Sequence, residues 1–161
     1  MGLITYEHEV ICSIPPAKLF KAFILDGDHL IPKVLPEAFK SIKIIEGDGG
    51  VGSIKLITFG EGSQYKSAKH RVDEIDEANH VYKYSIIEGD VLGEDLESIS
   101  YVIKIEASAD GGSVFKTVSH YHTKHDDHGG ITKDKIEEGK EKAKELFKAV
   151  EAHLHAHPDA Y

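Results

Sequence analysis

The sequence predicts an α+β fold in which a seven-stranded, curved antiparallel sheet wraps around one long C-terminal helix. From Phe39 onward, apolar residues recur at every second position in short runs, and turns rich in glycine and aspartate separate these runs. After Gly130, apolar residues recur at helical spacing as far as Leu154, and Pro158 follows them. The first pattern indicates a meander of strands, and the second indicates a single long helix.

The N-terminal segment predicts one strand and two short helices that form a V. Leu3–Cys12 mixes β-branched and polar residues in rough alternation, which is typical of an edge strand. Pro15 and Pro16 supply the fixed φ angle of a first helical turn, and apolar residues follow at helical spacing. Asp26–Asp28 breaks this helix, and a second short helix is expected to end near Pro36.

One helix is narrower than such a sheet, so part of the concave face is left uncovered. Because a bent sheet can close around this space, we expect an apolar chamber between the sheet and the helix. The alternation places three tyrosines on the inward face together with Ile86 and Ile103: Tyr82, Tyr84 and Tyr101. They are either chamber walls that offer hydroxyl groups to a ligand or ordinary core residues.

Composition limits the functional classes. The 161 residues fit one domain, expected to span residues 1–161, and 28 acidic against 19 basic side chains give a net charge of −9. This charge disfavours binding to nucleic acids and to anionic membranes. The single cysteine, Cys12, cannot form an internal disulfide, and no segment reads as a secretory leader or a membrane span. Cytoplasmic location is therefore the default expectation.

Several segments together resemble one known family over essentially the whole chain. They are Pro15–Phe23, Glu46–Gly52, Gly89–Ser100, Gly111–Ser113, Tyr121–Lys124 and His157–Tyr161. These segments are similar to those of the plant pathogenesis-related class 10 proteins, which include the major birch pollen allergen. The resemblance implies the helix-grip fold and a large cavity for flavonoids, cytokinins, sterol-like hormones and fatty acids. It also implies an allergen with a role in plant defence and stress.

The resemblance further implies which residues bind the ligand. They are Phe23, Leu30, Phe39, Lys55, Ile57, Phe59, Tyr65, His70, Tyr82, Tyr84, Tyr101, Ile103, Gly139, Ala143 and Leu146. An inward Lys55 needs a ligand oxygen, a water or a carboxylate as partner, for which Glu97 is a candidate. Otherwise Lys55 extends outward to solvent. No cofactor is expected, and the chain is expected to be a monomer, with a weak dimer as the alternative.

Three further functions stay open beside ligand binding. Similar proteins are reported to be ribonucleases, and their acidic residues correspond here to Glu97 and Glu151, with His153 in place of a tyrosine. Distant relatives condense an amine with an aldehyde through a cavity lysine, for which Lys116 is the nearest candidate. Related hormone receptors inhibit a phosphatase through a gate loop, but Phe59–Gln64 lacks the leucine and proline of that gate.

Four histidines lie within one short segment: His120, His122, His125 and His128. Imidazoles two residues apart on a strand share a face and can bind zinc or copper. We interpret the cluster as a source of adventitious metal binding and expect no physiological metal site.

Overall fold

A computed structural model describes residues 2–124 and 130–161 of the chain. Its seven strands are β1 (Gly2–Cys12), β2 (Phe39–Glu46), β3 (Ile54–Phe59), β4 (Ser67–Asp76), β5 (Val81–Gly89), β6 (Leu96–Ala107) and β7 (Ser113–Thr123). Its α-helices are α1 (Pro16–Phe20), α2 (Gly27–Val34) and α3 (Gly130–Ala156). A π-helical turn, Lys21–Leu25, joins α1 to α2, and a 3-10 turn, Asp90–Leu92, follows β5.

All seven strands form one antiparallel sheet in the order β1-β7-β6-β5-β4-β3-β2. The meander from β2 to β7 is therefore sequential, and β1 returns to pair with β7 along its whole length. Register shifts interrupt the pairing in β2, β4 and β6, and such bulges bend and twist a strand. The predicted helix-grip architecture, including the V of two short helices, is confirmed.

The two halves of α3 have different surroundings. Phe147, Val150 and Leu154 in its C-terminal half are buried in a core cluster with residues of α1 and of β6 and β7. Gly139 and Ala143 in its N-terminal half keep accessible surface. One end of the sheet is thus filled by side chains, whereas the other end leaves space beneath the helix.

The V of short helices closes the filled end. Pro16 begins α1, where its fixed φ suits the first turn and its missing N–H costs nothing. Leu19 and Phe20 of α1 and Leu30 of α2 are buried in the same core cluster. Among the described residues, no helix is both long enough and apolar enough to cross a membrane.

Candidate functional site

An apolar chamber lies between the sheet and the N-terminal half of α3. Its volume is about 230 Å³. Its walls are Leu35, Ala38, Phe39, Phe59, Ser63, Tyr65, Tyr84, Val91, Ile99, Tyr101, Tyr121, Lys135, Glu138, Gly139, Lys142, Ala143, Glu145 and Leu146. A smaller recess of about 100 Å³ shares four of these walls, Tyr84, Tyr101, Ala143 and Leu146, and therefore adjoins the chamber.

Ten of the fifteen predicted ligand-binding residues border one of these two spaces. Phe39, Phe59, Tyr65, Tyr84, Tyr101, Gly139, Ala143 and Leu146 line the chamber, and Phe23 and Ile103 line the recess. The other five lie outside these walls. Leu30 and Ile57 are only 2% exposed, and neither lines the chamber or the recess. Lys55, His70 and Tyr82 form a polar and aromatic layer beside it.

The sequence analysis did not identify the polar residues at the rim of the chamber. Lys135, Glu138 and Lys142 recur three and four residues apart, so they share the face of α3 that carries Gly139. This helical spacing could have identified the three residues from the sequence. Tyr121 was also missed, although it lies on the inward face of β7 opposite Ile99 of β6. Ala38, Ser63 and Val91 lie in connecting segments, where no periodicity applies.

Stacked aromatic rings form the floor of the chamber. The ring centroids of Tyr84 and Tyr101, which are cross-strand neighbours, are 4.8 Å apart, and those of Tyr82 and Tyr84 are 5.4 Å apart. Burial raises the pKa of the Tyr84 and Tyr101 hydroxyls well above the ordinary tyrosine value. These phenols therefore stay neutral at physiological pH. The Tyr101 and Tyr121 side chains lie close enough to influence each other's pKa.

Gly139 is the point where the sheet comes close to α3. A Cβ atom at this position would lie 3.6 Å from the Tyr121 hydroxyl oxygen, an ordinary van der Waals distance. A glycine in the middle of a helix is typical of a close neighbour, and here that neighbour is the strand residue Tyr121. Because no side chain leaves the helix here, the chamber extends to the backbone of α3.

Lys55 lies on the inward side of β3, as the resemblance implied, but its partner differs from the expected one. The Lys55 ammonium forms an ion pair with Asp28 of α2 at 2.9 Å, and the lysine side chain is only 12% exposed. Glu97, the predicted partner, is exposed on β6. The pair instead ties the second short helix to the sheet.

Replacing Lys55 by methionine is expected to lower the free energy of unfolding by about 1–2 kcal/mol. Methionine fills similar space, but Asp28 loses its partner while its side chain is 30% exposed. Urea unfolding at neutral pH measures the change. The double variant Lys55→Met, Asp28→Leu, which leaves no unpaired charge, is expected to recover most of it. A single variant as stable as the parent would contradict this role for the pair.

His70 stacks on the aromatic floor from the β4 side. Its ring centroid is 4.9 Å from that of Tyr84, with an interplanar angle of 21°. Burial lowers the pKa of His70 to about 3, and the neighbouring positive charge of Lys55 adds to this effect. His70 is therefore a neutral imidazole in the folded protein at physiological pH.

Charged and polar side chains surround the mouth of the chamber. The Lys135 ammonium donates a hydrogen bond to the carbonyl oxygen of Val91 at 2.5 Å and lies 5.7 Å from the centre of the Tyr65 ring. Glu138 accepts hydrogen bonds from Gln64 and from the Tyr65 hydroxyl. These contacts link α3 to the loop after β3 and to the 3-10 turn, so the mouth has polar groups around an apolar interior.

The comparisons with known proteins match the whole architecture. A profile of the pathogenesis-related protein Bet v 1 family matches residues 1–157. The chain belongs to this family. The major allergen Pru ar 1 of Prunus armeniaca is 61% identical over 161 residues, covering 100% of this chain and 99% of the relative. The major allergen Mal d 1 of Malus domestica is 54% identical with the same coverage.

Solved structures also match the architecture of this chain. The crystal structure of Ara h 8.0201 has a TM-score of 0.84 and 40% sequence identity, and the match covers 96% of this chain and 99% of that one. Norcoclaurine synthase from Thalictrum flavum, in complex with dopamine and hydroxybenzaldehyde, has a TM-score of 0.77 and 23% identity. That match covers 97% of this chain and 88% of the synthase. At this identity the synthase supports the fold alone.

The residues that the resemblance suggests for ribonuclease activity lie apart in the structure. Glu97 lies beside Leu96, which pairs with Thr123 at one end of β7. Glu151 lies near Cys12, whose pKa its charge raises, and Cys12 pairs with Ser113 at the other end. The ends of a strand of this length lie up to about 33 Å apart. The two carboxylates therefore do not share a site, and His153 stacks on His157 at 4.4 Å.

Amine–aldehyde condensation, phosphatase inhibition and metal binding also find little support in the described residues. Lys116 lies outside both cavities and pairs with Glu106 at 2.8 Å. The loop Phe59–Gln64 is bonded to the chain before β2, because the amides of Gly60 and Gly62 donate to the carbonyls of Ala38 and Glu37.

His125 and His128 lie outside the described residues. Within the described ranges, no three His, Cys, Asp or Glu side chains converge on a metal position.

Proposed function

We propose that this protein binds small apolar plant molecules in the chamber, as a carrier or a sensor. The observation that carries the proposal is the unfilled apolar space beneath Gly139 and Ala143, bordered by tyrosine hydroxyls. Protein interiors are normally close-packed, so an unfilled apolar space lined by aromatic rings favours a ligand. The polar rim gives such a ligand hydrogen-bonding groups at one end.

The proposed ligands are flavonoids, cytokinins, sterol-like hormones and fatty acids. Flat aromatic molecules suit the stacked rings of Tyr84 and Tyr101, whose centroids lie 4.8 Å apart. Tyr84, Tyr101 and Tyr121 carry hydroxyls that can donate or accept hydrogen bonds. Selection in such a chamber depends on shape and on a few polar contacts, which favours several related ligands over one.

The biological setting proposed here follows the family. The relatives named above are major allergens, and we extend allergenicity, a role in defence and stress, and hormone binding to this chain as proposals. The single buried Cys12 suits a reducing compartment, which supports a cytoplasmic location. The ligand is enclosed within one chain, so a monomer suffices for binding.

Titration with a neutral, solvent-sensitive naphthalene dye tests the proposal. We expect the dye fluorescence to rise and shift to the blue on binding, because the chamber walls are apolar. Native mass spectrometry with quercetin and benzyladenine is expected to show adducts with one ligand per chain. The carrier function fails if the dye does not respond and neither compound gives an adduct.

A further inference from the structure

His8 carries a buried polar atom without a partner. Its Nε2 nitrogen is almost inaccessible to solvent, and the described residues offer it no hydrogen bond. A buried polar group in this condition destabilises the folded protein. Such groups are rare in folded proteins, and each requires an explanation, of which a missing ligand is one.

The position of His8 places this nitrogen in the recess beside the main chamber. His8 is on the inward face of β1 opposite Thr117 of β7, and both residues line the recess. The other walls include Val10, Phe115 and Phe147, which are apolar. The recess therefore has one polar corner in an otherwise hydrophobic surface, and it adjoins the chamber at Tyr84 and Tyr101.

The electrostatic surroundings of His8 favour a negatively charged guest. Lys140 and Lys144 of α3 lie close enough for their positive charges to lower the pKa of His8, in addition to the larger effect of burial. His8 is therefore neutral at physiological pH and has one ring N–H to donate. On the same strand, Glu7 and Glu9 are exposed and lie on the opposite face of the sheet from His8.

Both lysines belong to α3 and lie close to residues of β1. Lys140 lies 5.7 Å from the centre of the Tyr6 ring and also contacts the Tyr6 hydroxyl. Among the described residues, Lys144 has one ion-pair contact, a long one of 4.0 Å with Glu141, and its side chain is 43% exposed. Lys144 thus keeps most of its hydrogen-bonding capacity for an oxyanion.

We infer that the recess is a subsite for the oxyanion head of an amphipathic ligand, with the His8 Nε2–H as donor and Lys140 and Lys144 as the positive surroundings. The apolar body of the ligand extends past Ala143 into the main chamber. This inference rests on the proposed carrier function and deepens it, because it assigns a binding position to the carboxylate of a ligand such as a fatty acid.

Decanoate and decanol provide a matched test, because they share an apolar body and differ in the charged head. We expect calorimetric titration near neutral pH to give about tenfold tighter binding of decanoate, the effect of one hydrogen bond to a charged group. In His8→Phe, decanoate affinity is expected to fall about tenfold while decanol affinity is kept. Lys144→Gln is expected to weaken decanoate binding in the same direction.

Controls separate this inference from the proposed function. His120 lies on the outward face of the neighbouring strand, where it contacts Thr5, so His120→Phe is expected to change neither affinity. NMR titration of the His8 ring is expected to show a higher pKa with decanoate bound, because an anion stabilises the imidazolium. Equal binding of both compounds, unchanged in His8→Phe, overturns the subsite alone. If neither compound binds, the carrier function fails as well.

Discussion

Replacing Ala143 by phenylalanine is expected to weaken binding of the naphthalene dye by roughly 5–150-fold. Ala143 borders both the chamber and the recess, so a phenyl ring there projects into the space where they meet. Forcing a ligand and a ring into one volume costs about 1–3 kcal/mol, which is roughly 5–150-fold in Kd. The same ring buries apolar surface, so the melting temperature is expected to stay equal or to rise.

Ala152→Phe is the matched control for this experiment, because Ala152 is an exposed residue of the same helix and lines neither cavity. We expect dye affinity in this variant to equal that of the parent protein. Fluorescence titration gives both affinities, and calorimetry gives both melting temperatures. If Ala143→Phe binds the dye as tightly as Ala152→Phe does, the ligand lies outside the space beneath α3.

The alternation of residues predicted the chamber floor because strand periodicity is a local property. Every second residue of a strand points to the same face, so Tyr82, Tyr84 and Tyr101 were assigned inward from the chain alone. The structure pairs Tyr84 with Tyr101 across β5 and β6. This assignment required only the strand boundaries and the face to which one apolar residue of each strand points.

The partners of buried charges could not be predicted in the same way. Lys55 and Asp28 are 27 residues apart, on different elements, and their pairing depends on how α2 is placed over the sheet. Periodicity assigns a face, but it gives no distance between a helix and a strand. The candidate partner Glu97 was wrong for this reason. The bulges in β4 and β6, which bend the sheet, likewise have no local sequence signal that we identified.

The interior thus contains two kinds of polar group. Lys55 and Asp28 satisfy each other within the protein. His8 Nε2 has no such partner among the described residues. Paired groups stabilise the shape of the chamber, whereas an unpaired group keeps its hydrogen bond for a guest. The unpaired nitrogen thereby lowers stability at the position where we infer that the ligand head binds.

His70→Phe is expected to reduce the acid sensitivity of folding. The pKa of His70 is about 3 in the folded protein, below the ordinary histidine value of 6.5 that applies after unfolding. Between these values the unfolded chain takes up a proton that the folded chain does not, so stability falls as the pH falls. From about pH 7 to about pH 5, this difference lowers the free energy of unfolding by about 2 kcal/mol.

Phenylalanine keeps a ring to stack on Tyr84 and removes the titrating group, so the variant is expected to lose about 2 kcal/mol less than the parent over that pH range. Urea unfolding at both pH values measures the difference. Because Asp and Glu contribute equally in both proteins, comparing variant with parent cancels their effect. His120→Phe, which removes a partly exposed histidine, is expected to match the parent. An identical pH dependence in His70→Phe would mean that His70 takes up a proton over this pH range in the folded protein as it does after unfolding, which is incompatible with a pKa lowered to about 3.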